Sequence, residues 1–154
     1  MPLLSTLSNA GIQSYGNRGI ITGGSAFYDS IYDSLNVSAG PAFQYGTGDF
    51  TIEMWFYPTT ANGLDGSGVT LFAQRGPSYR TQRYLFLFLW PTGQVYLQVP
   101  GNDFFVGTVN TVTLNAWNHV ALVRRSGQMQ IFLNGYANTS RTNTTNYTDT
   151  SYVP

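Results

Sequence analysis

Two segments of this chain alternate in character with a period of two, and that alternation restricts the fold more than any other feature. In Gly48-Asp-Phe-Thr-Ile-Glu-Met-Trp-Phe-Tyr-Pro58, the residues Phe50, Ile52, Met54 and Phe56 fall on one side, and Thr51, Glu53, Trp55 and Tyr57 on the other. Successive side chains of a strand point to opposite faces, so the pattern reads as a strand with one buried face. Its aromatic and β-branched content agrees. The second segment runs from 119 to 125, meets Ser126-Gly127, returns over 128–133 and closes at Asn134-Gly135. That reads as a hairpin followed by a second tight turn.

The remaining signals are of the same kind. Short strands are predicted at 26–28, 34–37, 69–73, 84–90, 94–99, 104–106 and 109–114, separated by turn-forming Gly, Pro, Asn and Asp. Pro91-Thr-Gly93 marks a hairpin between two of them. No amphipathic helix of useful length and no internal repeat is found. Many short strands without helices argue for an antiparallel sandwich or jelly roll. The chain has 154 residues, enough for one domain with a substantial core. Residues 1–25 sustain no period and read as an extended arm, either a disordered tail or a segment that orders against a partner. Residues 136–154 are dominated by Asn and Thr and look poor in core side chains.

Charge separates this chain from an average soluble domain. Only 9% of residues are charged, with no Lys and a single Glu, against roughly a quarter in typical domains. Such a surface binds by hydrogen bonds and ring contacts, not by long-range fields. Nucleic acid is not expected as a partner, because phosphate binding needs clustered cations. Arg124-Arg125 is the one tight basic cluster, and it reads as a solvated strand face. Absence of Cys removes disulfides and thiolate metal sites. The longest apolar run, Tyr84-Leu-Phe-Leu-Phe-Leu-Trp90, is far short of the ~20 residues of a helical membrane span. No secretory signal is read at the start. Asn-x-Ser/Thr triplets at Asn36, Asn138, Asn143 and Asn146 read as chance matches in a tract rich in these residues.

Taken together in order and spacing, several motifs over about residues 26–135 resemble the laminin-G-like branch of the concanavalin A-like lectin/glucanase superfamily. They are Tyr28-Asp29 with Leu35-Asn-Val37, Phe43-x-Tyr45-Gly-Thr-Gly-Asp-Phe-Thr-Ile-Glu-Met-Trp-Phe-Tyr-Pro58, Trp117-Asn-His-Val-Ala-Leu-Val-Arg124, and Ile131-Phe-Leu-Asn-Gly135. The resemblance implies an all-β, two-sheet antiparallel β-sandwich over 26–154, preceded by the extended arm of 1–25. It also implies that Trp117 and His119 are structural strand positions. Family members usually continue past Asn-Gly with closing strands. Here either the chain is a fragment, or a closing strand is expected from residues 1–25 or from another subunit; an edge left open in that way would predict a homo-oligomer. The opening Met1-Pro-Leu-Leu-Ser-Thr-Leu-Ser-Asn-Ala10 resembles the start of bacteriophage virion proteins, which implies a particle protein assembled in the host cytoplasm.

Catalysis is not expected. Glycoside hydrolysis needs two carboxylates across the scissile bond, and glucanase relatives supply them as Glu-x-Asp-x-x-Glu on one strand. Glu53 has only Thr51, Trp55 and Tyr57 as same-face neighbours. His119, the only His, has no Gly-x-Ser-x-Gly elbow to serve. No cofactor is expected. Calcium is the one metal the residues leave open, with Asp65 and Asp103 as donors, although each also reads as an ordinary turn aspartate. Glycan binding fits better, since rings stack on sugars while amides, acids and guanidinium groups hydrogen-bond their hydroxyls. The candidate residues are Tyr79, Arg80, Arg83, Trp90, Tyr96, Gln98, Asn102 and Asp103, with Phe104 and Phe105 as further rings. The chain is thus expected to be a non-catalytic binding and assembly module of a phage tail fibre or capsid. Its expected partners are virion proteins and cell-surface glycan, with no membrane insertion. The alternatives are a purely structural virion subunit and a divergent glucanase.

Overall fold

The computed structural model describes residues 12–15, 20–22, 25–27, 34–37, 43–63, 68–74, 85–99, 104–138 and 140–147. Among them lie the strands β1 (Ile12–Tyr15), β2 (Ile20–Thr22), β3 (Ser25–Phe27), β4 (Ser34–Val37), β5 (Phe50–Phe56), β6 (Val69–Ala73) and β7 (Phe86–Leu89). They continue as β8 (Val95–Gln98), β9 (Phe104–Gly107), β10 (Asn118–Arg125), β11 (Gln128–Leu133), β12 (Tyr136–Ala137) and β13 (Arg141–Thr142). No α-helix occurs among the described residues. One sheet has five strands in the order β12-β11-β10-β5, with β13 also on β11, and a second has four in the order β6-β7-β8-β9. Two further pairs, β1-β4 and β2-β3, complete the pairing, and every ladder is antiparallel.

The two larger sheets share one core, as expected of an all-β sandwich. Leu85, Leu87, Leu89, Val95 and Leu97 come from the four-stranded side, and Val120, Leu122, Met129, Ile131 and Leu133 from the five-stranded side. Phe50, Ile52, Met54 and Phe56 pack against this cluster while Thr51, Glu53 and Trp55 are exposed, so the period-two reading of β5 holds residue by residue. The hairpin at Ser126-Gly127 also holds. Both residues have positive φ (50° and 72°), as do Asn134 and Gly135 (51° and 82°). These are the paired left-handed conformations that two-residue hairpin turns need.

Within the segment expected to be an arm, β1 pairs with β4 through Ile12↔Val37 to Tyr15↔Ser34, and β2 forms a hairpin with β3. The C-terminal tract contributes more than its composition suggests. Tyr147 is fully buried in the core and bridges Gly46 through two backbone hydrogen bonds of 3.0 Å. Asn138 accepts from the Ile131 N–H at 2.8 Å and donates to the Gly107 carbonyl at 3.2 Å. Asn143 accepts from the Tyr147 hydroxyl at 3.2 Å. Both Asn are buried and occupied, so the triplets at 138 and 143 are structural devices, not glycan acceptors.

Arg124 corrects the expectation of a solvated basic face. The strand alternation that sends Val120 and Leu122 inward sends Arg124 inward as well, and it is 1% exposed. Its guanidinium lies 4.7 Å from the Phe50 ring centroid and 5.2 Å from that of Tyr147. Its N–H groups donate to the carbonyls of Gly48 (2.7 Å), Thr145 (2.8 Å), Gly46 (2.7 Å) and Tyr45 (3.3 Å). The side chain therefore ties the C-terminal tract and the 45–48 loop to the middle of the sandwich. Arg125, its neighbour, is exposed as expected.

Burial raises the pKa of Tyr45 and of Tyr147 above the ordinary 10.0, an effect that side-chain hydrogen bonding with Asn143 and Thr145 and the Arg124 charge partly offset at Tyr147. A pKa raised on folding stabilises the native state below the unfolded value and loses that contribution as pH climbs through the folded value. Stability is accordingly expected to be level up to about pH 10 and to fall above it. Urea midpoints measured from pH 8 to 12 check this, and Tyr147→Phe should flatten part of the decline.

Candidate functional site

Among the described residues the strongly exposed rings are Tyr136 on β12 and three that gather on the outer face of the five-stranded sheet. There Trp55 is 66% exposed, Trp117 54% and Tyr57 48%. These rings do not stand singly. Trp55 is opposite His119 in the β5-β10 ladder, and their ring centroids are 5.0 Å apart. One step further along, Tyr57 meets Trp117 edge-on at 5.7 Å. Glu53, whose side chain is 65% exposed, lies beside the first pair with Oε2 at 3.6 Å from Nε2 of His119. Cross-strand aromatic pairs of this kind hold one another in place.

The scaffold beneath them explains the order Trp117-Asn118-His119. Strand alternation puts Asn118 on the inner side, where it is fully buried, and so turns its two neighbours outward. The Asn118 amide donates to the carbonyls of Thr113 (2.8 Å) and Ala116 (2.9 Å) and accepts from the Thr113 N–H (3.0 Å). It thereby stitches the 113–116 turn that carries Trp117. Asn134 performs the matching service from the next turn. Its side-chain oxygen accepts from the His119 N–H at 2.8 Å, and its amide donates to Asn118 Oδ1 at 3.1 Å. On the other side, the Asn115 N–H donates to the Pro58 carbonyl at 2.8 Å, which holds the end of β5 and Tyr57 against the same turn. His119 lies on β10, and Trp117 stands immediately before its first residue, Asn118, where the resemblance implies strand positions for both. Their side chains nevertheless face outward, and the packed member of the motif is Asn118.

Three of the residues expected to bind glycan lie together on the four-stranded sheet. Leu87, Leu89, Val95 and Leu97 face the core, so Phe86, Phe88, Trp90, Tyr96 and Gln98 occupy the opposite face. Trp90 and Tyr96 are 6.3 Å apart between ring centroids, and each also contacts Phe88. The Tyr96 hydroxyl donates to Gln94 Oε1 (3.1 Å), whose amide in turn donates to the Thr108 carbonyl (2.7 Å). Phe88 is only 4% exposed, so this aromatic group is half-covered packing and not an open platform. Tyr79, Arg80, Arg83, Asn102 and Asp103 lie outside the described residues, as does the other calcium candidate, Asp65. Phe104 and Phe105 open β9. Among the described residues, no three His, Asp or Glu gather as a metal site would require.

The strongest exposed rings were therefore legible but unclaimed in the sequence. Trp55 and Tyr57 alternate with core residues on β5, and a large ring on the solvent side of an amphipathic strand is itself a signal. The choice of loop and second-sheet aromatics passed over it.

The model of a laminin-G-like family, described as of the concanavalin A-like lectin/glucanases superfamily, matches residues 29–154. The chain belongs to this family, and the sandwich and its two antiparallel sheets agree with that membership. No curated protein matches the chain.

Proposed function

We propose that this protein is a non-catalytic module that binds surface glycan through the outer face of its five-stranded sheet. The carrying observation is the paired exposure of Trp55 with His119 and of Tyr57 with Trp117, beside the carboxylate of Glu53. Flat rings held rigid by neighbouring strands suit the apolar faces of sugars, and polar groups at their edge suit sugar hydroxyls. Membership of a lectin-like superfamily supports the same reading. Against hydrolysis stand the missing Glu-x-Asp-x-x-Glu pattern and the ladder position of Glu53, which faces Ala121 across β10. The module as proposed works without a cofactor. Its placement in a phage particle, docked through residues 1–25, rests on the resemblance of its first residues to virion proteins. Mass spectrometry of purified particles that lacks this chain would remove that placement.

Glycan-array screening followed by calorimetric titration tests the binding. Trp55→Ala and Trp117→Ala are each expected to weaken the best array ligand at least tenfold, the scale of a buried aromatic anchor in an interface. Unfolding midpoints near wild type would show that the fold is intact, since both rings are mostly in solvent. Parallel titrations with calcium and with EDTA check the cofactor-free reading. A face that binds no glycan but captures purified virion proteins would favour the structural-subunit alternative.

A further inference from the structure

We infer that this surface takes an uncharged or amino-bearing sugar chain spanning at least two rings, and that Glu53 rejects acidic glycans; the inference rests on the binding function proposed above. The span follows from the ladder. Trp55 with His119 and Tyr57 with Trp117 form two aromatic rows separated by two residues along β5. At roughly 3.4 Å per residue the rows are about 7 Å apart. A single sugar covers one row, and a chain lying along the strands places one ring over each.

The charge follows from what surrounds the rows. Among the described residues, Glu53 carries the permanent charge at this end of the face, and its carboxylate is open to solvent beside Trp55. Arg125, the cation on the same side of β10, stands six positions beyond His119 at the opposite end of the strand. An acidic sugar over the Trp55 row would meet Glu53 unrelieved by a neighbouring guanidinium. An amino sugar would meet a carboxylate and the face of an indole, both of which favour a cation.

The test compares cellotetraose, tetraglucosamine and tetragalacturonate against the intact protein and Glu53→Gln by titration calorimetry at low and high salt. In the intact protein, tetragalacturonate is expected to bind at least fivefold more weakly than cellotetraose, and tetraglucosamine more tightly. Glu53→Gln should narrow both gaps about fivefold, the factor that roughly 1 kcal/mol between charges near 4 Å in water represents. Raising the salt to molar levels should narrow them in the intact protein as well. Glucose alone should bind at least tenfold more weakly than cellotetraose. Equal binding of acidic and neutral chains, or affinity ratios untouched by Glu53→Gln, would overturn the charge selection while leaving glycan binding intact. Glucose binding as tightly as the tetramer would overturn the two-ring site. Failure of all three tetramers, alongside an array without hits, would overturn the glycan reading itself and this inference with it.

Discussion

Replacing Arg124 with Met is expected to destabilise the protein by about 4 kcal/mol, a large share of the roughly 5–15 kcal/mol that holds a domain folded. Met nearly preserves the volume between Phe50 and Tyr147 but has no donors. The carbonyls of Gly48, Thr145 and Tyr45 then lose the Arg124 N–H groups that satisfy them. These bonds are part-buried, so each acceptor left unsatisfied costs toward the lower end of about 1–3 kcal/mol. Relief from burying a cation offsets part of that sum. The contacts of the guanidinium with the Phe50 and Tyr147 rings are lost as well. Thermal unfolding should drop by about 8–16 °C for a chain of this size. Lys in the same place keeps the charge but not the planar fork that reaches several carbonyls at once, so it should recover little. A loss below about 1 kcal/mol for Arg124→Met would show that water or the backbone satisfies these carbonyls once the side chain is gone.

Asn118→Ala should show the second large effect, and it should appear in two readouts. Stability is expected to fall by about 2–3 kcal/mol, because the Thr113 and Ala116 carbonyls and the Thr113 N–H lose a buried partner. Glycan affinity is expected to fall as well, although Asn118 is buried and touches no ligand. The 113–116 turn that it stitches is what sets Trp117 against Tyr57. A residue that positions rings should weaken binding under conditions where the variant remains folded. Asn118→Asp sharpens the test, since it keeps the acceptor for Thr113 and Asn134 but loses the donors to both carbonyls. Folded Asn118→Ala protein that binds glycan with unchanged affinity would limit Asn118 to stability.

The carving of the chain into strands was readable from local pattern. Phe50, Ile52, Met54 and Phe56 declare their face by alternation alone, because a strand offers only two sides and one must leave water. The turns at 126–127 and 134–135 declare themselves through Gly and Asn, which tolerate positive φ. Arg124 shows where composition misleads. The alternation that sends Val120 and Leu122 inward sends Arg124 inward too, although Arg is almost never fully buried unless paired. Tyr147 and the occupied Asn138 were unreadable for a different reason. Their partners, Gly46, Ile131, Gly107 and Arg124, are distant in sequence or come from separate strands.

The sequence by itself determined that this chain builds short strands, where they turn, and which side of β5 excludes water. Those properties are local: they depend on the period of the backbone and on the conformational tolerance of single residues. Only the tertiary structure decided which outward rings become a surface. Trp55 meets His119, and Tyr57 meets Trp117, because the β5-β10 register brings together residues about sixty positions apart, and no local period encodes a register between distant strands. Trp90 and Tyr96, equally aromatic and equally outward, lie around the nearly buried Phe88 and are partly covered by packing that their neighbours in sequence do not reveal.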